Sequence, residues 1–219
     1  MSDDLAGTLI NDLATGMVIL AIGIVWSRSL GWALLLFCVQ SLLLVGAALC
    51  AGLATGASHI YVGATLTLVV KVFAAPVLLW LVLLRLPTSH DVQASIGQRT
   101  GVILAVVLAL ILGQSLDTGP FRTAIGADRV LPTAVTLMVI GLLVMVTHRQ
   151  ALTQIVGFLM IENGMALAAL TATYGMPLVV EMGVLLDLLL AVFVAFVYST
   201  RMHTIFGSLD TDRLRTLKG

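Results

Sequence analysis

The sequence has 219 residues, of which 60% are hydrophobic and 10% charged, and its mean hydropathy is +1.12. Soluble domains carry about 25% charged residues, so this chain has too few charges to cover a soluble surface and is predicted to be a polytopic membrane protein. Lys and Arg together number 11, as do Asp and Glu. There is no basic stripe with interleaved aromatic residues, which argues against nucleic acid as a partner.

Seven apolar stretches are long enough to be transmembrane helices, because about 20 apolar residues cross the hydrocarbon core. In chain order the predicted spans are Leu5–Val25, Leu30–Ala54, Ile60–Leu86, Gly101–Leu116, Val130–Val146, Ala151–Tyr174 and Pro177–Thr200. The predicted fold is therefore all-α, a helix bundle forming a single integral membrane domain over residues 1–219. Residues 1–129 make a four-helix N-terminal part, 130–200 a three-helix unit and 201–219 a tail.

Positive charges fall mainly on one side of this predicted bundle. That side receives Arg28, Arg85, Arg99, Arg149, Arg201, Arg213, Arg215 and Lys218, whereas the other side receives Arg122 and Arg129. The positive-inside rule then places the C-terminus in the cytoplasm and the N-terminus outside. The MSDD start has no basic region before the first span, so we expect no cleaved signal peptide.

Three acids and one lysine lie within predicted spans, although an ionised side chain at the centre of a membrane helix costs about 2.5–3.5 kcal/mol on insertion scales. At about 1.5 Å per residue, Glu162, Asp187 and Lys71 each lie about 15–16 Å from the end of their span, near the midplane of a core about 30 Å thick. Glu181 lies nearer the outer interface and, being six residues from Asp187, occupies a different face of the same helix.

Intramembrane acids usually mark functional sites, and we interpret Glu162, Asp187 and Lys71 as groups that hold or exchange a proton. The alternative is a static contact that fixes helix packing, such as an ion pair between Glu162 and Lys71. For Glu181 the alternative is an interfacial carboxylate that reaches lipid headgroups or a partner.

Two further residues could support such a path. Pro76 lies inside the third span and has no N–H, so we expect the carbonyl of Val72 to lose its helical partner close to Lys71. Irregular backbone at this depth is tolerated where it lines a cavity. Asn163, beside Glu162, could extend a polar path or serve as an ordinary contact between helices.

The sequence offers no candidate redox centre. The histidines lie in loops or at span ends, where they form no helix-facing pair suited to axial haem ligation. They are His59, His90, His148 and His203. CxxC spacings, phosphate loops and dinucleotide-binding glycine turns are also missing. We therefore expect no cofactor, no metal ligands and no catalytic residues in this chain, and any driving electron transfer would take place in another subunit.

Several stretches resemble a known family. The runs FLMIENGMALAAL, LVVEMGVLLDLLLAVFVAF and TLVVKVFAAPVLL, the run THRQALTQIVGF and the terminus GSLDTDRLRTLKG are similar to the E component of hydrogenase-4, a membrane subunit of formate-hydrogenlyase-type complexes. The last three spans further resemble the K subunit of respiratory complex I and the C subunit of Mrp-type antiporters, which carry two membrane-embedded acids on a proton path. This resemblance implies that Glu162 is the first acid and Asp187 the second, with Glu181 as the competing match. Lys71 has no counterpart in the three-helix subunits.

The same resemblance implies a function and partners. We expect a non-catalytic proton-path subunit in the membrane arm of a complex I-related hydrogenase, in the cytoplasmic membrane of a bacterium or archaeon. Its expected partners are antiporter-like and quinone-subunit-like membrane subunits, a peripheral hydrogenase arm and lipids. The alternative is a structural subunit that docks antiporter-like neighbours without conducting protons. A free-standing secondary transporter is a weaker interpretation, because no inverted repeat is visible in the spans.

Overall fold

The computed structural model describes residues 3–85, 97–117, 130–148, 150–172 and Gly183. Within these residues all regular elements are helices, which confirms the predicted all-α class. They are α1 (Asp3–Trp26), α2 (Leu30–Thr55), α3 (Ser58–Thr67), a π-helix here termed π1 (Leu68–Ala74), α4 (Ala75–Arg85), α5 (Gln98–Asp117), α6 (Val130–Thr147) and α7 (Ala151–Ala172).

The helices agree with the first six predicted spans. Five stretches in the described part of the chain are long and apolar enough to cross a membrane, namely Leu5–Trp26, Leu30–Thr55, Ser58–Leu81, Val130–Thr147 and Leu152–Leu170. Helix α5 contributes a shorter apolar stretch, Gln98–Gln114. The seventh predicted span, Pro177–Thr200, lies outside the described residues except for Gly183, which is helical. The number of spans beyond these and their orientation in the membrane stay predictions.

Local sequence signals set both ends of α2. The hydroxyl of Ser29 accepts a hydrogen bond from the N–H of Trp32 at 3.4 Å, which satisfies one of the first helical donors, as N-cap residues do. At the other end, Gly56 has φ 69° and its N–H donates to the carbonyl of Gly52 at 2.9 Å. Glycine enters this left-handed conformation without the steric cost that a side chain would bring. The chain therefore turns within two residues into α3.

The closest packing in the described bundle joins α6 and α7. A Cβ atom placed on Gly141 would lie 2.7 Å from the carbonyl oxygen of Gly157, and one placed on Gly157 would lie 2.8 Å from the carbonyl oxygen of Gly141. A Cβ atom placed on a third glycine, Gly164, would lie 2.9 Å from the carbonyl oxygen of Ala134. Small residues allow membrane helices to meet backbone to backbone, and α7 is held in place in this way.

The buried core lies among α1, α2, α6 and α7. Its largest fully buried side chains include Met17 of α1, Phe37 of α2, Ile140 of α6 and Leu159 of α7. Helix α5 and the third span expose many large apolar side chains, such as Ile103 at 63%. An apolar surface of this kind is expected where helices face lipid or other membrane chains.

The third predicted span is not a continuous α-helix. Seven residues, Leu68–Ala74, form π1, in which the N–H of Ala75 donates to the carbonyl of Val70, five residues earlier. Pro76 predicts a break at the carbonyl of Val72; the irregular backbone takes the form of a π segment that ends at Ala74, two residues before the proline. π turns inside helices are frequent at functional sites, and this one contains Lys71.

Candidate functional site

Two charged side chains meet in the interior of the bundle. The Nζ atom of Lys71 lies 3.4 Å from Oε2 of Glu162, and the two side chains are 5% and 3% exposed. Lys71 comes from π1 and Glu162 from α7. The sequence placed both at one depth from their positions within separate spans, and the structure brings them into an ion pair.

A lysine and a glutamate in contact offer two arrangements without net charge. In one, both groups are ionised; in the other, the proton has moved from the ammonium to the carboxylate. Both arrangements avoid leaving a single charge in a medium of low dielectric constant, which would cost several kcal/mol. Removing either partner alone would take the opposite charge away from the other. The pair can therefore hold a proton in two places, which is the chemistry that a relay needs.

A buried polar cluster lies next to this pair and connects three helices. The Nδ2 atom of Asn163 donates to Oγ of Ser41 at 3.0 Å and to Oε1 of Gln40 at 3.4 Å. The Nε2 atom of Gln40 in turn donates to the carbonyl oxygen of Met17 at 3.0 Å. Gln40, Ser41 and Asn163 are 0% exposed. Asn163 thus makes contacts between helices, tying α7 to α2 and, through Gln40, to α1.

Gln40 and Ser41 were not among the residues that the sequence singled out. Their signal was nevertheless present, because they interrupt the apolar run LLLFCVQSLLLV. Gln40 lies about 15 Å into α2 at a rise of about 1.5 Å per residue, so the depth argument that located Glu162 applies to it as well. An amide at mid-membrane depth needs hydrogen-bond partners from neighbouring helices, and here it has them.

The remaining predicted residues of the path are Asp187 and Glu181, and both lie outside the described residues. Their approach to Glu162 stays a prediction. One described residue of the seventh span is informative: a Cβ atom placed on Gly183 would lie 3.7 Å from Oε1 of Glu162. The Glu162 carboxylate therefore has Lys71 of π1 beside Oε2 and Gly183 near Oε1.

In the described part of the chain, no group of three or more His, Cys, Asp or Glu side chains could hold a metal ion. Cys38 and Cys50 are both free thiols on α2.

One histidine is buried at the end of α6. The Nδ1 atom of His148 lies 2.9 Å from the carbonyl oxygen of Val144, to which its N–H donates, and 3.1 Å from Oγ1 of Thr147. The Nε2 atom of Gln154 donates to the carbonyl of His148 at 2.9 Å, which joins this turn to α7. Burial lowers the pKa of His148 below its ordinary value, and the hydrogen bond to Val144 opposes this only in part.

We expect this histidine to make the chain less stable in mild acid. Because its pKa is lower in the folded chain than in the unfolded one, both states are neutral above about pH 6.5, and the unfolded state binds the proton first as the pH falls. Stability is then lost progressively down to the folded pKa. Thermal unfolding of the chain in lipid nanodiscs at about pH 7.5 and about pH 5.5 measures this. The difference in unfolding temperature between the two pH values should shrink in His148→Gln. It should persist in His59→Gln, which replaces an exposed histidine at the start of α3.

Comparisons with known proteins place these observations in a family context. No family model matches the chain, and no solved structure matches it. The uncharacterized protein Rv0085 of Mycobacterium tuberculosis is 33% identical over 226 residues, which cover 100% of both chains. Hydrogenase-4 component E of Escherichia coli K12 and of Shigella flexneri is 25% identical over 211 residues, or 96% of this chain and 98% of the relative. The similarity extends over nearly the whole chain and all of its described helices.

Proposed function

Since this chain belongs to the hydrogenase-4 component E family, we propose that it is a membrane-arm subunit of a complex I-related, formate-hydrogenlyase-type hydrogenase. In this role it contributes intramembrane carboxylates to a proton path that is driven by redox chemistry in other subunits. Its partners would be antiporter-like and quinone-subunit-like membrane subunits, a peripheral hydrogenase arm and lipids, in the cytoplasmic membrane of a bacterium or archaeon.

The observation that carries the proton role is the buried pair of Lys71 and Glu162, with 3.4 Å between Nζ and Oε2. When the two groups are in contact, each stabilises the charge of the other. When they separate, the low dielectric constant penalises both charges, so the carboxylate binds a proton and the ammonium releases one. If those two exchanges are open to different sides of the membrane, each cycle of separation and contact carries one proton.

The element that would change the separation is π1. A π turn is rare compared with an α-helix, occurs mostly in single turns and is often found at functional sites. Lys71 lies within it, and Pro76 is the second residue after its end. A change in the twist of this segment would move Lys71 relative to Glu162, which is held on α7 by the close packing of Gly157 against Gly141.

For the second acid we favour Asp187 over Glu181. Gly183 is helical and lies against the Glu162 carboxylate. In the predicted seventh helix Asp187 lies four residues from Gly183, and residues four apart share a helix face. Glu181 lies two residues from Gly183, and residues two apart do not face the same way.

A structural role is the second candidate, and the same contacts favour it. The ion pair joins the third span to α7, and the hydrogen bonds of Asn163 join α7 to α2. In that case the charged groups are static contacts between helices. The chain would then position antiporter-like neighbours without carrying protons itself.

The decisive experiment is Glu162→Gln in the intact complex, reconstituted into vesicles and driven by the complex's own redox reaction. We expect redox turnover in detergent to continue while proton translocation per electron pair falls, because proton transfer through this path should slow by a factor on the order of 10² or more, a typical contribution of a positioned proton-transfer group. Asp12→Asn is the matched control, since it exchanges an exposed carboxylate on α1 for an amide. Unchanged proton translocation in an assembled Glu162→Gln complex would reject the proton role and favour the structural role.

A further inference from the structure

The orientation of two buried amides can be assigned from their hydrogen bonds. Since Nε2 of Gln40 lies 3.0 Å from the carbonyl oxygen of Met17, this end of the amide must be the donor. The oxygen end, Oε1, then faces Asn163, whose Nδ2 lies 3.4 Å away. Asn163 therefore presents its donor toward α2, where Oγ of Ser41 accepts the shorter bond, at 3.0 Å. The assignment follows from the network as a whole.

From this network we propose that Gln40 is a positioning residue for Glu162, acting through Asn163. The proposal deepens the proposed function and depends on Glu162 being the proton-carrying acid. Asn163 and Glu162 are consecutive residues of α7, so their side chains leave the helix about 100° apart. Holding Asn163 against α2 therefore fixes the rotation of α7, and with it the direction in which Glu162 points.

The geometry of the ion pair makes this rotation important. At a radius of roughly 6 Å from the helix axis, a rotation of α7 by roughly 20° moves a side-chain end by about 2 Å. The separation between Nζ of Lys71 and Oε2 of Glu162 is 3.4 Å, so a shift of that size would break the contact. Amides suit the task because they keep the same charge while a neighbouring carboxyl gains or loses a proton.

A second feature of the cluster argues against a purely stabilising role. The Oδ1 atom of Asn163 is buried and has no hydrogen-bond partner among the residues that the structure describes. A buried acceptor without a partner is unfavourable for stability, so an apolar side chain would serve helix packing better. What Asn163 supplies is a directed donor toward Ser41 and Gln40, at the residue adjoining Glu162.

The test is chemical labelling of Glu162 in the full chain, in lipid nanodiscs at neutral pH. A hydrophobic carbodiimide modifies protonated carboxyls in the membrane and spares a carboxylate that is ion-paired, and mass spectrometry of the Glu162 peptide measures the yield. Gln40→Met keeps the side-chain volume and removes the hydrogen bonds. We expect the labelling rate to rise roughly threefold to tenfold, the factor by which the loss of a net hydrogen bond shifts an equilibrium. Lys71→Met, which removes the cation, should give a rate at least as high.

The control is Leu44→Met, which alters a buried apolar residue one turn further along α2 and should label like the wild type. If Gln40→Met fails to fold, Ser41→Ala decides, since it removes the other acceptor of Asn163 and should give a rise in the same direction. Wild-type labelling in Gln40→Met or, in its place, in Ser41→Ala overturns the proposal. So does an equal rise in Leu44→Met, because general loosening of α2 would then be the cause.

Labelling needs no redox partner, so this result is separate from the pumping result. Raised labelling in Gln40→Met together with undiminished pumping in Glu162→Gln would leave Gln40 as a positioning residue and remove the proton role. Unchanged labelling in Gln40→Met together with lost pumping in Glu162→Gln would overturn the positioning role of Gln40 and leave the proton role of Glu162 in place.

Discussion

Replacing Lys71 by methionine is expected to destabilise the chain by about 3–5 kcal/mol, the usual cost of removing one partner of a buried ion pair. Methionine fills a similar volume, so the loss comes from the charge. The Glu162 carboxylate, 3% exposed, would keep its position among apolar helices without the ammonium group beside it. Thermal or denaturant unfolding in lipid nanodiscs measures the change.

The double variant Lys71→Met/Glu162→Gln separates charge from packing. With both charges removed, most of the stability should return, since replacing a buried ion pair by neutral groups of similar volume is often neutral or stabilising. Val69→Met, on an exposed position of the same π segment, should have little effect. A loss in the double variant as large as in Lys71→Met would mean that Lys71 stabilises the bundle through its packing rather than its charge.

Replacing Gly157 by leucine should be the most disruptive single change on α7. Even the first carbon of the new side chain would lie 2.8 Å from the carbonyl oxygen of Gly141 and 3.1 Å from the backbone nitrogen of Met145. Backbone atoms cannot move aside as a flexible side chain can, so α6 and α7 must separate. Overpacking commonly costs about 1–3 kcal/mol and sometimes more, and we expect about 3 kcal/mol or more here.

The matched control for this change is Gly113→Leu on α5, where a Cβ atom would meet nothing within 4 Å. It should leave the unfolding temperature unchanged or raise it, because leucine is a better helix former than glycine. Equal losses at Gly157 and Gly113 would mean that the α6–α7 contact is looser than the structure has it. Since Glu162 lies five residues beyond Gly157, Gly157→Leu should also increase carbodiimide labelling of Glu162.

The spans could be predicted from the sequence because membrane thickness fixes helix length, and the helices of the first six spans begin and end close to the predicted bounds. The meeting of Lys71 and Glu162 could be anticipated for the same reason, since depth follows from position within a span. The rotation of each helix could not be predicted. In a membrane protein the surfaces that face lipid and core are both apolar, so the pattern that reveals a buried face in a soluble helix is missing.

The contact between Gln40 and Asn163 could not be predicted, because it depends on the rotation of both helices. The two residues are 123 positions apart in sequence, and the local sequence around each of them gives no sign of the contact. Pro76 was a partial guide: it indicated irregular backbone near Lys71, but the missing N–H of a proline does not say whether a helix kinks or widens. The neighbouring helices decide that outcome, and local sequence does not describe them.

The π segment sets a constraint on chain length as well as on side chains. A π turn of this kind amounts to an α-helix that has acquired one extra residue. Deleting a single residue between Leu68 and Ala74 would therefore let the span close into an uninterrupted α-helix. Because the wider π turn already takes up the extra residue, the helix on either side would keep its faces, whereas the same deletion in a regular α-helix turns everything beyond it by about 100°. What the deletion would change is the local position of Lys71 relative to Glu162.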